Sequence, residues 1–153
     1  MRKYSLPGFL EQLLTQAAYE RWLSRRAIAH LRRDRKRGNI AATNEAYKTA
    51  IHKAVCSSGG KDAYTAEALS WHLASKYDNE ESKRGKRAYK AQFALLPTVD
   101  HIGDGLGPAD FKICSWRTND AKADLSFGEF IELCERVVAA NEKAKAVTGS
   151  GFS

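Results

Sequence analysis

At 153 residues, 43% apolar and 28% charged, the chain has the makeup of a soluble globular protein. One domain of this size buries roughly 70% of its unfolded surface and needs neither disulfides nor metal to fold. No stretch approaches the ~18 apolar residues of a membrane span, and no apolar run of the kind that directs secretion follows the basic start, so no membrane partner is expected and the expected compartment is the cytoplasm.

The net charge of +7 is unevenly placed: residues 1–50 hold 11 basic and 4 acidic side chains, and the remainder holds 14 of each. From residue 91 onward the balance reverses to −3. Basic segments beside a locally acidic one suggest a polyanionic partner and a carboxylate-bearing site.

In chain order, apolar residues spaced three and four apart from Leu10 to Leu31 predict a helix from about Phe9 to Arg37, stopped by Gly38-Asn39. Its second half, residues 21–37, holds seven Arg, one Lys and a single Asp. Arginine is the better phosphate fork, so Arg25, Arg26, Arg32, Arg33, Arg35, Lys36 and Arg37 are candidate nucleic-acid contacts, with a solvated helix face as the alternative. Lys83, Arg84, Lys86 and Arg87 form a second candidate cluster. A second helix is expected over 43–55, broken by Cys56-Ser-Ser-Gly-Gly60. Residues 62–73 read as a turn and a short strand or helix, and 74–90 as a loop or solvated helical turn.

Residues 93–102 read as extended, because Pro97 disfavours helix while Thr98, Val99 and Ile102 favour strand. The glycine-rich stretch 103–108 reads as a loop, and 111–116 as a second strand alternating Phe111, Ile113 and Ser115 against Lys112, Cys114 and Trp116. The two could pair as a ribbon. A helix is expected over 117–125, with Thr118 or Asn119 near its start. Ser126 and Glu129 form a capping box for a last helix with Phe130, Leu133, Cys134 and Val137 as its apolar stripe. The tail from 148 is expected to be disordered. Cys56, Cys114 and Cys134 are too few and too widely spaced for a disulfide framework or a cysteine zinc site. His30, His52 and His72 are expected to be structural or surface residues, and Trp22, Trp71 and Trp116 core residues, with Trp116 near enough to the candidate site to touch nucleic acid.

The order is a strand bearing Asp100-His101, a loop, a strand, then a helix bearing Asn119-x-x-Lys122. Over residues 93–135, with VDHI (99–102), DFKICSW (110–116) and NDAK (119–122), this resembles the HNH (ββα-metal) endonuclease family, more loosely reaching back to 50–65. The resemblance implies that Asp100 and Asn119 ligate a divalent cation, Mg²⁺ or Mn²⁺ in preference with Zn²⁺ as the alternative. It implies that His101 deprotonates the attacking water and that Lys122 supports the helix or a phosphate. Asp110 stands where the family has an Asn that orients the loop carrying the base; an Asp cannot donate as an amide does. Ala123 stands where some members place a further ligand, and Cys114 lacks cysteine partners, as in a zinc-free variant. Asp120 or Asp124 could replace Asn119 as ligand if the helix starts elsewhere, and Asp104 is a spare carboxylate.

Elementary chemistry agrees with these roles. Histidine suits proton abstraction near neutral pH. A hard cation keeps several waters and needs few protein oxygens. Neighbours on a strand face opposite sides, so Asp100 and His101 can serve two roles. The expected fold class is α+β: one domain over 1–150, with a helical basic region (1–58) packed on an HNH-like core (59–140). The expected function is metal-dependent phosphodiester hydrolysis, of DNA more than RNA and with little sequence preference. A nucleic-acid-binding protein with a degenerate site and a metal-free basic interaction protein are the alternatives; the oligomeric state is left open.

Overall fold

The computed structural model describes residues 2–74 and 91–148. The chain divides into two compact units, Met1–Ala121 and Lys122–Ser153. Among the described residues the fold is α+β: helices with one two-stranded antiparallel sheet. Among the described residues no helix is long and apolar enough to cross a membrane.

In the first unit, a 3₁₀ turn at Gly8–Leu10 precedes helix α1, Gln16–Lys36. The helix starts later than its apolar pattern predicts because Thr15 caps it, its Oγ1 accepting from the Ala18 N–H at 3.0 Å. Leu10 and Leu14 still reach the core, but from the turn. Helix α2, Asn44–Ser58, is capped in the same way by Thr43 and ends at Gly59, whose φ of +61° is the left-handed stop that glycine favours. It therefore runs one turn beyond the expected break. Trp22 and Trp71 meet edge-on at 5.2 Å and, with Tyr19, Leu23, Tyr47, Ile51 and Val55, fill the core between these helices. Residues 61–68 form a turn closed by a Lys61–Ala68 bridge, and Trp71–Leu73 form a second 3₁₀ turn.

Strands β1 (Pro97–His101) and β2 (Phe111–Ser115) pair in antiparallel register, with Asp100 opposite Lys112 and His101 opposite Phe111. The expected alternation holds. Val99, His101, Phe111 and Ile113 share one face, whereas Thr98, Asp100, Lys112 and Cys114 share the other. The first face lies in the main core, where α1 packs on β1 and α2 on β2; on the second face Thr98, Asp100 and Cys114 are buried as well, and only Lys112 is exposed. Helix α3, Trp116–Lys122, follows β2 directly. It begins one residue earlier and stops sooner than expected, because Ser115 caps it (Thr118 N–H to Ser115 Oγ, 3.0 Å) and Ala123 turns left-handed at φ +49°.

The second unit carries helix α4, Phe127–Thr148. Its capping box forms as expected: the Ser126 N–H donates to Glu129 Oε1 at 3.0 Å, and the Glu129 N–H returns to Ser126 Oγ at 3.1 Å. None of its residues is buried. The expected tail beyond 148 lies outside the described residues.

Candidate functional site

Asp100 and His101 close β1 and point to opposite faces, each into its own hydrogen-bond network. On the outer face, Asp100 Oδ2 accepts from Tyr64 Oη at 2.5 Å. Burial, together with that carboxylate, pushes the Tyr64 phenol well above its usual range, so it stays a donor. Tyr64 is held in turn by Asp62, a buried carboxylate in the 61–68 turn. Oδ1 of Asp62 accepts the N–H groups of Tyr64 (2.8 Å) and Thr65 (3.3 Å). Oδ2 accepts the Ser115 N–H (3.0 Å) and Thr118 Oγ1 (2.8 Å). Burial opposes the charge on Asp62, but the N–H groups of Ser115 and Tyr64 and the hydroxyls of Thr118 and Ser115 outweigh it and hold its pKa below the ordinary carboxylate value. One side chain thus fastens the Tyr64 turn, the end of β2 and the start of α3, which carries Asn119. Asn119 is half-buried, one residue beyond the fastened Thr118. Lys122 ends α3, where the second unit begins.

On the inner face, His101 Nδ1 lies 2.5 Å from Oδ2 of Asp34 on α1, and Nε2 lies 3.0 Å from the Pro108 carbonyl oxygen. The ring stacks on Phe111 at 4.5 Å, and its side chain is only 1% exposed. Both ring nitrogens therefore face acceptors, and only the imidazolium carries a proton on each. Tyr47 Oη donates to the same Asp34 oxygen at 2.7 Å. Burial alone would raise the Asp34 pKa, but the hydrogen bonds from Tyr47 and His101 and the positive charges of His101 and Arg33 bring it below its usual value.

The glycine-rich loop 103–108 is held over this network. Asn39 Nδ2 donates to the carbonyls of Gly105 (2.9 Å) and, at longer range, Gly107 (3.5 Å). A Cβ on Gly105 would sit 2.6 Å from Asp34 Oδ1, at a φ of +88° that already favours glycine. Asp110, the residue expected to orient this loop, is exposed. Its carbonyl closes the ribbon by accepting the Ile102 N–H at 2.9 Å. The loop's side-chain tethers come instead from Asn39 and His101. Asp110 also lines a cleft of about 320 Å³ between α2 and β2, with Lys53, Lys112, Ser57 and Ser58 at its walls.

The candidate basic contacts divide. Arg32, Lys36 and Arg37 are exposed at the C-terminal half of α1, while Arg26 is half-buried. Arg25 donates to the Ala74 carbonyl (3.4 Å), Arg33 to His30 Nδ1 (2.8 Å) and Arg35 to the Ala42 carbonyl (3.1 Å), so these three are engaged within the chain. Lys83, Arg84, Lys86 and Arg87 lie outside the described residues. His30 is structural: its Nε2 donates to the Val99 carbonyl at 3.1 Å while Nδ1 accepts from Arg33. Trp22 and Trp71 are core residues, as expected, and Trp116 is half-buried against Phe93 and Leu96.

Asp34, Asn39, Asp62 and Tyr64 are the residues that sequence reasoning missed. One signal existed for Asp34: it is the single acid in the basic run, on the same helical stripe as Leu23, Ala27 and Leu31. Among the described residues no group of three or more His, Cys, Asp or Glu side chains is placed to hold a metal ion. No family model, curated protein or solved structure matches this chain.

Proposed function

We propose that this chain is a metal-dependent endonuclease that hydrolyses phosphodiester bonds in nucleic acid, DNA in preference to RNA. The observation that carries the reading is the unbroken strand–strand–helix run, with Asp100 and His101 consecutive on β1 and Asn119 on the helix after β2. A carboxylate and an amide oxygen suit a hard, largely hydrated Mg²⁺ or Mn²⁺ better than Zn²⁺, which prefers a fuller set of nitrogen and sulfur donors. When bound, such an ion polarises the phosphate and stabilises the leaving oxygen. Asp100, steadied by Tyr64, and Asn119, on a helix fastened by Asp62, would hold it. For His101 to act, the Pro108 carbonyl must leave Nε2 and the proton Nε2 shares with it must pass to solvent; the neutral ring, still protonated on Nδ1, then takes the proton of the attacking water at Nε2. The exposed Arg32 and Lys36 on α1, which packs on β1, and Arg37 at its C-cap hold the phosphate backbone and give affinity without sequence choice. Lys122 remains in this reading as support for the helix or a phosphate.

Calorimetric titration of the purified chain with Mn²⁺ tests the metal half of this reading. Binding to the wild type that weakens at least tenfold in Asp100→Ala is expected; no binding that depends on Asp100 would remove its basis.

One observation favours a second reading, a nucleic-acid-binding protein that does not cleave. Both nitrogens of His101 are engaged and its side chain is buried, which fits a structural pin between loop and helix as well as a base. The two readings part on cleavage, because both expect DNA binding.

A further inference from the structure

The inner stripe of α1 runs Leu23, Ala27, Leu31, all apolar and buried, and then turns polar where the helix crosses the end of β1, at His30 and Asp34. Asp34 is 0% exposed although Arg32, Arg33 and Arg35 around it face solvent. A buried carboxylate costs several kcal/mol unless it is paired, so its partners define its purpose. They are Tyr47 Oη from α2, at 2.7 Å, and His101 Nδ1 from β1, at 2.5 Å, both on Oδ2. Arg33 Nε lies 3.6 Å from Oδ1. The groups around the His101 ring are Asp34, Arg33 and His30 from α1, Tyr47 from α2 and Phe111 from β2.

We propose that Asp34 is a positioning residue for His101: it keeps the proton on Nδ1 and turns Nε2 toward the loop as the one nitrogen that can exchange a proton with substrate water. The inference rests on the reading of His101 as the base. Its logic is an inequality between two acceptors. Asp34 is anionic, buried and held by Tyr47, whereas the carbonyl on Nε2 belongs to the exposed Pro108. A motion of loop 103–108 therefore uncovers Nε2 and leaves Nδ1 bonded. Gly105 fits this design, since any side chain there would collide with the positioning carboxylate.

The test combines a spectrum with a rate. Long-range ¹H–¹⁵N spectra of the ¹⁵N-labelled full chain should show a slowly exchanging, downfield Nδ1 proton on His101 in the wild type. Asp34→Asn should move the proton of the neutral ring to Nε2. It should lower single-turnover nicking of supercoiled plasmid in Mn²⁺ by about 10²–10⁴-fold, with the KM for DNA changed less than about threefold. A wild-type ring that lacks the Nδ1 proton overturns the proposal, and so does an Asp34→Asn variant with the wild-type rate and ring. If the wild type cuts nothing, the nuclease reading fails by itself, while the wild-type spectrum still decides whether Asp34 sets the ring. Should Asp34→Asn not fold, Tyr47→Phe replaces it, because it removes the other hydrogen bond on Oδ2. A roughly tenfold slower cut and a faster-exchanging Nδ1 proton are then expected, and an unchanged rate with an unchanged proton overturns the proposal.

Discussion

His30 is held neutral by its surroundings. Burial is the main cause and the neighbouring Arg33 guanidinium the second; together they lower its pKa to about 4 from an ordinary 6.5. The unfolded chain therefore takes up a proton on His30 before the folded chain does. The stability this residue contributes is complete above about pH 6.5 and falls away as the pH drops toward 4, by about 3 kcal/mol in all. Thermal unfolding followed from pH 7 to pH 4 should show that loss, and His30→Gln should flatten it. Asp34 and Asp62 act in a lower window: their pKa values are depressed on folding, so what they contribute is present above the ordinary carboxylate value and is lost as the pH falls through their folded ones. Asp62→Ala strips partners from the N–H groups of Ser115 and Tyr64 and from the Thr118 hydroxyl at once. A loss of about 3 kcal/mol in chemical denaturation is expected, with Asp62→Asn losing less because one acceptor oxygen survives.

At the scale of elements, the strands were legible and the polar fasteners were not. The alternation over 111–115 sets the ribbon's two faces, and Pro97 and the glycine run set its limits, because these are local properties of the backbone. The start of α1 was misread since Leu10, Leu13 and Leu14 keep helical spacing while lying in a turn; Thr15, the cap, is what moves the boundary. Asp34 was unreadable as a partner of His101 because the contact spans 67 positions of sequence and joins a helix to a strand end. In the sequence it is one acid among many bases. Asn39 was hidden in the same way: it reads as a helix stop but also donates to a loop 66 residues further on. The loop's closeness to Asp34 gives a prediction at this scale. Gly105→Ala places a Cβ 2.6 Å from a buried carboxylate oxygen and in a left-handed backbone. It should cost about 2 kcal/mol of stability in denaturant unfolding, whereas an alanine at the exposed Gly107, where an added Cβ meets nothing within 4 Å, should cost little.

Across the whole molecule the charge asymmetry of the sequence becomes a division of labour within the first unit. All of Arg25, Arg32, Arg33, Arg35 and Lys36 on α1 are exposed, but Arg25, Arg33 and Arg35 also hydrogen-bond to groups within the chain. Composition could count these charges but could not sort them, because sorting depends on which acceptors the fold brings within reach of each side chain. Arg32→Ala and Lys36→Ala should each weaken DNA binding alike on unrelated sequences. Each should also reduce the slope of log affinity against log salt by about 1, as read by fluorescence anisotropy at several salt concentrations. The outer face of the ribbon, with Asp100 steadied by Tyr64, and the inner face, with His101 set between Asp34 and Pro108, adjoin at the end of β1. Nicking of supercoiled plasmid in Mn²⁺ by the wild type and by His101→Ala, with DNA binding followed on the same samples, probes that junction most directly. Chelator-sensitive nicking by the wild type is expected, about 10²–10⁴-fold slower in His101→Ala with DNA binding retained. Equally poor cutting by both proteins, each still binding DNA, would contradict it.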